Sequence, residues 1–140
     1  MQGYNLILIY NPSGEKLLMC KRAKEPYKGL CNVVGGKIEP GETGLAAAYR
    51  ELYEETGITE EDVTLYHFMD LTYYASDLYL EVYVGRLRCP VTLTPEKNEL
   101  LWVELTENFF DTSRYAGEGN LGHIVEQVRI YQDRVLAVTP

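Results

Sequence analysis

Residues 36–58 read GKIEPGETGLAAAYRELYEETGI, and this stretch decides the fold. Pro40-Gly41-Glu42-Thr43 is turn chemistry running into a helix, with Thr43 placed to cap the first free backbone N–H groups. Leu45, Ala48, Tyr49 and Leu52 recur at three- and four-residue steps and give one apolar face. Gly57 stands after Thr56 as a C-terminal cap, so the spacing predicts a helix over about 43–56. On it Glu51, Glu54 and Glu55 occupy positions i, i+3 and i+4, which puts three carboxylates on one face. Like charges so placed cost roughly 0.2–0.5 kcal/mol per pair. Either solvent dilutes that repulsion or a hard divalent ion removes it. Arg50 beside them is a planar fork suited to orienting a carboxylate, and equally to a plain structural ion pair. Upstream, Gly35-Gly36 ends a short apolar run where side chains would obstruct access to backbone oxygen.

Outward from this stretch the pattern changes from helix to strand. Segments 4–10 and 17–22 are β-rich and flank the turn Asn11-Pro12-Ser13-Gly14, which predicts a hairpin. A polar loop over 23–30 leads to the apolar run 31–34. Downstream, 63–74 and 78–87 are rich in β-branched and aromatic residues and read as long antiparallel strands joined by Ala75-Ser76-Asp77. Residues 100–105 suggest a further short strand. Leu121, Ile124, Val125 and Val128 repeat at helical spacing and predict a second amphipathic helix ending near Asp133. Strands, helix, strands, helix predicts an α/β domain, a mixed sheet sandwiched between helices. No repeat period or linker composition interrupts it, so one domain over 1–140 is expected.

Composition excludes several function classes. With 46% hydrophobic and 24% charged residues the chain is ordinary globular material, not disordered or collagen-like. No apolar stretch approaches the roughly 20 residues of a membrane span, and no secretory signal pattern opens the chain, so the cytoplasm is the expected compartment. Cys20, Cys31 and Cys89 form no CxxC pair and are expected as buried free thiols. A net charge of −8 opposes binding of a nucleic-acid polymer. The charge is uneven: residues 1–35 hold five cations (Lys16, Lys21, Arg22, Lys24, Lys28) against Glu15 and Glu25, either a solvated basic loop or contacts for an anionic ligand. His67 and His123 have no Ser or Cys partner spacing and read as structural, and Trp102 as core or pocket wall. Most of the twelve tyrosines fall in expected sheet and core.

Gly36, Glu42, Arg50-Glu51-Leu52, Glu54-Glu55 and Gly57-Ile58 match the Nudix box at every specified position, so the chain resembles the Nudix hydrolases. That resemblance implies a Nudix fold and the splitting of a nucleoside diphosphate linked to another group, with Mg²⁺ or Mn²⁺ and a water nucleophile. It carries the metal ligands onto the Gly35 carbonyl and onto Glu51, Glu54 and Glu55, with Glu99 as a further carboxylate from a later loop. Arg50 would orient a glutamate, Glu42 would buttress the loop-helix motif, and Glu51 or Glu55 would accept the water proton. Residues 29–39, GLCNVVGGKIE, are similar to the MutT-type branch, which hydrolyses oxidised purine nucleoside triphosphates such as 8-oxo-dGTP to the monophosphate and pyrophosphate. In that branch an Asn at the position of Asn32 reads the base, and Asn120 resembles a second base-contacting Asn or a helix cap.

Lys21, Arg22 and Lys37 are the expected contacts for the phosphate tail. Other substrates stay open. Tyr74 stands 16 residues after the box, where relatives that cut diadenosine polyphosphates often carry Tyr; no proline occurs at 72–75, where ADP-ribose enzymes usually place one. A Nudix-fold sensor that binds a nucleotide without cleaving it is the rival from another class, although such modules tend to lose the box glutamates that this chain keeps. A homodimer is left open by the sequence.

Overall fold

The computed structural model describes residues 1–137. Its elements run β1 (Gln2–Tyr10), β2 (Lys16–Lys21), β3 (Cys31–Asn32), α1 (Gly44–Thr56), β4 (Tyr66–Tyr73), β5 (Leu78–Arg86), β6 (Glu99–Glu104), α2 (Asn120–Ile130) and α3 (Gln132–Val135). The six strands form one sheet in the order β3-β2-β1-β5-β4, with β6 added to β2. β1 and β5 run parallel from Gln2↔Leu78 to Tyr10↔Arg86, whereas β2–β6 and β4–β5 are antiparallel. The expected mixed sheet with helices on it is thus the architecture found.

β1 shows why helices cover both faces. Ile7, Leu8, Ile9 and Tyr10 are all buried, and a strand buried on both sides points alternate residues into different layers. Ile7 and Ile9 pack with Ala48 and Leu52 of α1, while Leu8 and Tyr10 pack with Leu121, Ile124 and Val128 of α2. Trp102 packs at the edge of the α1 layer.

The β1–β2 hairpin positions the box. Its turn is held by Asn11, whose Oδ1 accepts the N–H groups of Glu15 and Lys16, each at 3.0 Å. Beyond Tyr10↔Leu17 the two strands part. β1 takes Val34 and Lys37 as isolated bridge partners, while β2 turns to β3 and β6. Gly35 and Gly36 are thereby pressed against β1, and a Cβ on Gly35 would overlap the Asn5 carbonyl.

α1 begins where the capping chemistry expects. Thr43 accepts the Ala46 N–H at 3.1 Å, worth about 1 kcal/mol, and Gly57 closes the far end at φ 81. Its inward face differs from the expectation, because Ala47, Ala48, Leu52 and Thr56 are buried while Leu45 is 44% exposed. Leu45 sits in the first turn, beyond the rim of the layer. Tyr49 is half-buried, and its hydroxyl accepts the Leu65 N–H at 2.9 Å. The cysteines also differ: all three are free, but only Cys20 is buried, with Cys31 half-buried and Cys89 exposed.

Candidate active site

Arg50 organises the loop-helix stretch. Its Nε and Nη2 donate to the two oxygens of Glu42 at 3.0 and 2.6 Å. Nη1 donates to Glu51 Oε1 at 3.0 Å and to Glu54 Oε2 at 3.2 Å, and Nη2 also reaches the Lys37 carbonyl at 3.0 Å. One guanidinium fork thus ties the turn before α1 to two carboxylates on it, in the charge-assisted geometry that Arg favours. Glu42 is held from its other side by the Glu39 N–H at 2.8 Å. Arg50 and the Glu39 N–H keep the Glu42 carboxyl below the usual carboxylate range.

Glu55 lacks that clamp. It accepts the Gly35 N–H at 3.3 Å, and burial pushes its carboxyl up to about 7, with the charges of Glu51 and Glu96 adding to the rise. Glu51 is also raised by burial, against the lowering hydrogen bond from Arg50. A Cβ on Gly36 would meet the Glu51 carboxylate and displace it. The N–H groups of Asn5 and Ile7 bond the Gly36 and Val34 carbonyls at 2.8 Å each. Strand alternation then turns the Gly35 carbonyl away from β1.

These carboxylates share a cleft of about 190 Å³ that also takes in Glu96, Lys97 and Cys20. Burial and the charge of Glu55 push the Cys20 thiol up to about 11, so it stays neutral. Four lining side chains, Glu51, Glu54, Glu55 and Glu96, offer carboxylate oxygen, the donor chemistry that suits Mg²⁺ or Mn²⁺. Crowded acids with raised proton affinity fit a missing positive charge, so the residues present fit a divalent cation.

On the α2 side of the sheet a cavity of about 550 Å³ opens, floored by Leu6, Leu80 and Leu121. Its polar lining includes Arg22, Asn32, Tyr73 and Asn120, with Tyr27 and Glu118 at the two loops that border it. The Asn120 amide donates to the Tyr73 hydroxyl, so it does not cap α2; Gly119 is the cap residue. The Tyr27 hydroxyl donates to Glu118 at 2.8 Å, and both residues hold left-handed backbone, φ 66 and 51. Arg22 lines this cavity and bonds the Pro26 carbonyl at 2.7 Å, and its charge lowers the Glu55 proton affinity.

The expected site residues divide accordingly. Glu42, Arg50, Glu51, Glu54, Glu55 and the Gly35 backbone come together, and so do Arg22, Asn32 and Asn120. Lys21, Lys37 and Glu99 line neither space. Lys21 pairs with Glu99 across β2–β6 and with Cys31 across β2–β3. Alternation along these strands puts all three on the face of Met19 and Leu101, away from the carboxylates. Lys37 contributes its carbonyl to Arg50. The carboxylate that lines the cleft from the later loop is Glu96, and Glu99 does not line it. Glu96 stands in an irregular segment after Pro95 where no periodicity marks a face; Tyr27 and Glu118, equally unforeseen, sit in loops of the same kind.

Comparisons with known proteins agree with this geometry. The NUDIX domain family model matches residues 3–122. Over 62 residues the chain is 36% identical to the 8-oxo-dGDP phosphatase NUDT18 of Mus musculus, which covers 44% of this chain and 19% of that protein. Over 43 residues it is 46% identical to an ADP-ribose pyrophosphatase of Methanocaldococcus jannaschii, covering 31% of this chain and 25% of that protein. The chain thus matches a quarter or less of the length of either curated relative. A crystal structure of a C. elegans Ap4A hydrolase binary complex superposes with a TM-score of 0.77 at 22% identity, over 95% of this chain and 98% of that one. With the family's model running through the box, both sheet edges and the start of α2, this chain belongs to the NUDIX domain family.

Proposed function

We propose that the chain is a divalent-cation-dependent nucleotide pyrophosphatase that cleaves an oxidised purine nucleoside triphosphate to the monophosphate and pyrophosphate, and that one domain carries both the cleft and the cavity. The observation that carries this reading is Arg22, which lines the cavity walled by Asn32 and Asn120 and whose charge reaches Glu55 among the clustered carboxylates. A nucleotide spanning the two puts its phosphates at the acids and its base among the amides.

In this reading Glu51, Glu54, Glu55 and the Gly35 carbonyl hold the cation, with Glu96 beside them. Mg²⁺ or Mn²⁺ bound there supplies neutralisation of phosphoryl charge and a more acidic bound water. Arg50 acts on the ligands by fixing Glu51 and Glu54, and Glu42 fixes Arg50 in turn. Of the two candidates for accepting the water proton, Glu55 is the freer. Arg50 already holds Glu51 Oε1, while Glu55 has only the Gly35 N–H. Arg22 neutralises the phosphate tail. Asn32 and Asn120 offer both donors and acceptors to the polar edge of a purine, and Tyr73 stands beside them. The mouse relative is named for an oxidised guanine nucleotide, which supports this class of base. Tyr74, which would suit diadenosine polyphosphates, is 84% exposed and does not line the cavity.

The test is a phosphate-release assay with Mg²⁺ on canonical and oxidised nucleoside triphosphates. A preference of roughly tenfold or more in kcat/KM for the oxidised purines is expected, the size of one or two well-placed hydrogen bonds. Absence of turnover on every nucleotide, with tight binding of one, would replace hydrolysis by the sensor reading.

A further inference from the structure

Away from the carboxylates, two strand ends leave buried polar atoms unanswered. Tyr10 ends β1 and Arg86 ends β5, and the two are partners in the parallel register. Their side chains therefore leave the sheet on the same face, the one that α2 covers. Tyr10 is 2% exposed, and its Oη and Arg86 Nε are both buried without a hydrogen-bond partner among the described residues. A buried donor with nothing to bond is costly and uncommon, and two on neighbouring strands ask for a reason.

The space around them supplies one. Tyr10 lines a cavity of about 260 Å³ walled by Phe109, Val125, Val128 and Leu136. Arg86 lines a cleft of about 230 Å³ that shares Gly14, Gln132 and Leu136 with that cavity, so the two spaces adjoin. The carboxylates facing the cavity are already engaged: Glu107 pairs with Arg114 at 2.7 Å and Glu126 with Arg129 at 2.6 Å. Asp133 borders the cleft, yet Arg86 forms no ion pair among the described residues. Burial holds the Tyr10 phenol well above its ordinary range, so it remains an O–H donor.

A largely apolar chamber lined by a phenol, beside a cleft lined by a guanidinium whose Nε is unanswered, matches an anion that has an apolar body. Glu126 already answers the Arg129 guanidinium that also lines the cavity, so Arg86 is the one cation here left to pair among the described residues, and Asp133 nearby would repel a dianion. The cavity, at about 260 Å³, falls just below the roughly 300–1,000 Å³ usual for small-ligand sites, which limits the body to one ring or a short chain.

We propose that Tyr10 and Arg86 form the polar end of a second ligand site, on the sheet face opposite the carboxylate cluster, for a small monocarboxylic acid with an apolar ring or chain. The site is independent of the hydrolytic reading and stands or falls without it.

Titration of the full chain with 4-phenylbutyrate, followed by calorimetry and by amide and methyl chemical shifts, tests this. The expected result is saturable binding with shifts centred on Tyr10, Phe109 and Val128. Binding of the neutral 4-phenylbutan-1-ol should be roughly tenfold weaker, since it lacks the charge-assisted bond. Tyr10→Phe and Arg86→Gln should each weaken the acid roughly five- to tenfold, and Arg86→Gln should leave the alcohol unchanged. Should either variant fail to fold, the wild-type shift map and the acid-to-alcohol ratio decide the matter. Equal binding of acid and alcohol, no saturation at millimolar ligand, or shifts centred on Arg22 and Asn32 would each overturn the proposal.

Discussion

The carboxylate cleft and the cavity on the α2 side are built in opposite ways. Three of the four acids lining the cleft, Glu51, Glu54 and Glu55, come from α1, and one guanidinium ties two of them to Glu42 in the turn before it. The cavity draws Arg22 and Tyr27, Asn32, Tyr73, and Glu118 and Asn120 from segments up to about a hundred residues apart. Bond-breaking chemistry needs charges at fixed short separations, which a helix face supplies by itself. Recognition of a particular ligand needs a shaped enclosure, which only tertiary packing supplies. The two regions should therefore fail differently when altered.

The largest effect is expected at the cleft. Glu54→Gln and Glu55→Gln should each lower kcat on the order of 10³-fold while the cavity still binds nucleotide, because charge stabilisation in the transition state is lost and base contacts are kept. Steady-state kinetics beside a nucleotide-binding titration separates the two; a change confined to KM would erase the distinction between the regions. Arg50→Ala comes next, with a loss of roughly 10- to 100-fold in activity or cation affinity, as for other groups that orient ligands from behind. Its melting temperature should also fall, since Glu42, Glu51 and Glu54 lose their shared partner.

At the cavity, Asn32→Ala and Asn120→Ala should cost roughly 1–3 kcal/mol each in discrimination between purine and pyrimidine triphosphates. Hydrolysis of a substrate lacking a base should be unchanged. Equal losses on every substrate would place these amides in the hydrolytic machinery.

The smallest expected effect is a pH dependence of stability. The Glu55 carboxyl rises from 4.5 to about 7 in the folded chain. For an acid shifted upward, the folded state favours the neutral form. The stabilisation is full below the unfolded value and is lost as pH climbs through the folded one. Cation-free protein should melt at a lower temperature at pH 8 than at pH 6, and Mg²⁺ should restore more at pH 8. Glu55→Gln should flatten that difference; a Mg²⁺ effect identical at both pH values in the wild type would contradict it.

How much of this was legible in the sequence follows the same division. α1, its Thr43 cap, its Gly57 stop and the carboxylate face are local features with a fixed period, and they fall where the pattern puts them. Leu45 is the exception, because periodicity gives a direction but not the extent of the layer it faces. Lys21 and Glu99 were beyond reach for a related reason: their face is set by the β2–β6 register, and moving it by one residue would turn both over. Glu96 and the Tyr27–Glu118 bond lie in loops whose course depends on what they pack against. The polar loop over 23–30 could be read in advance, but the side chains that meet across the cavity could not.

The central claim is that the acids on α1 hold divalent cations against a pyrophosphate. Its most direct test is anomalous diffraction from crystals grown with Mn²⁺ and a non-hydrolysable nucleoside triphosphate. The account predicts Mn²⁺ peaks within about 2.0–2.5 Å of carboxylate oxygens of Glu51, Glu54 and Glu55, with the phosphates on the same ions. An ordered nucleotide whose phosphates lie away from α1, with no manganese on those three residues, would contradict it.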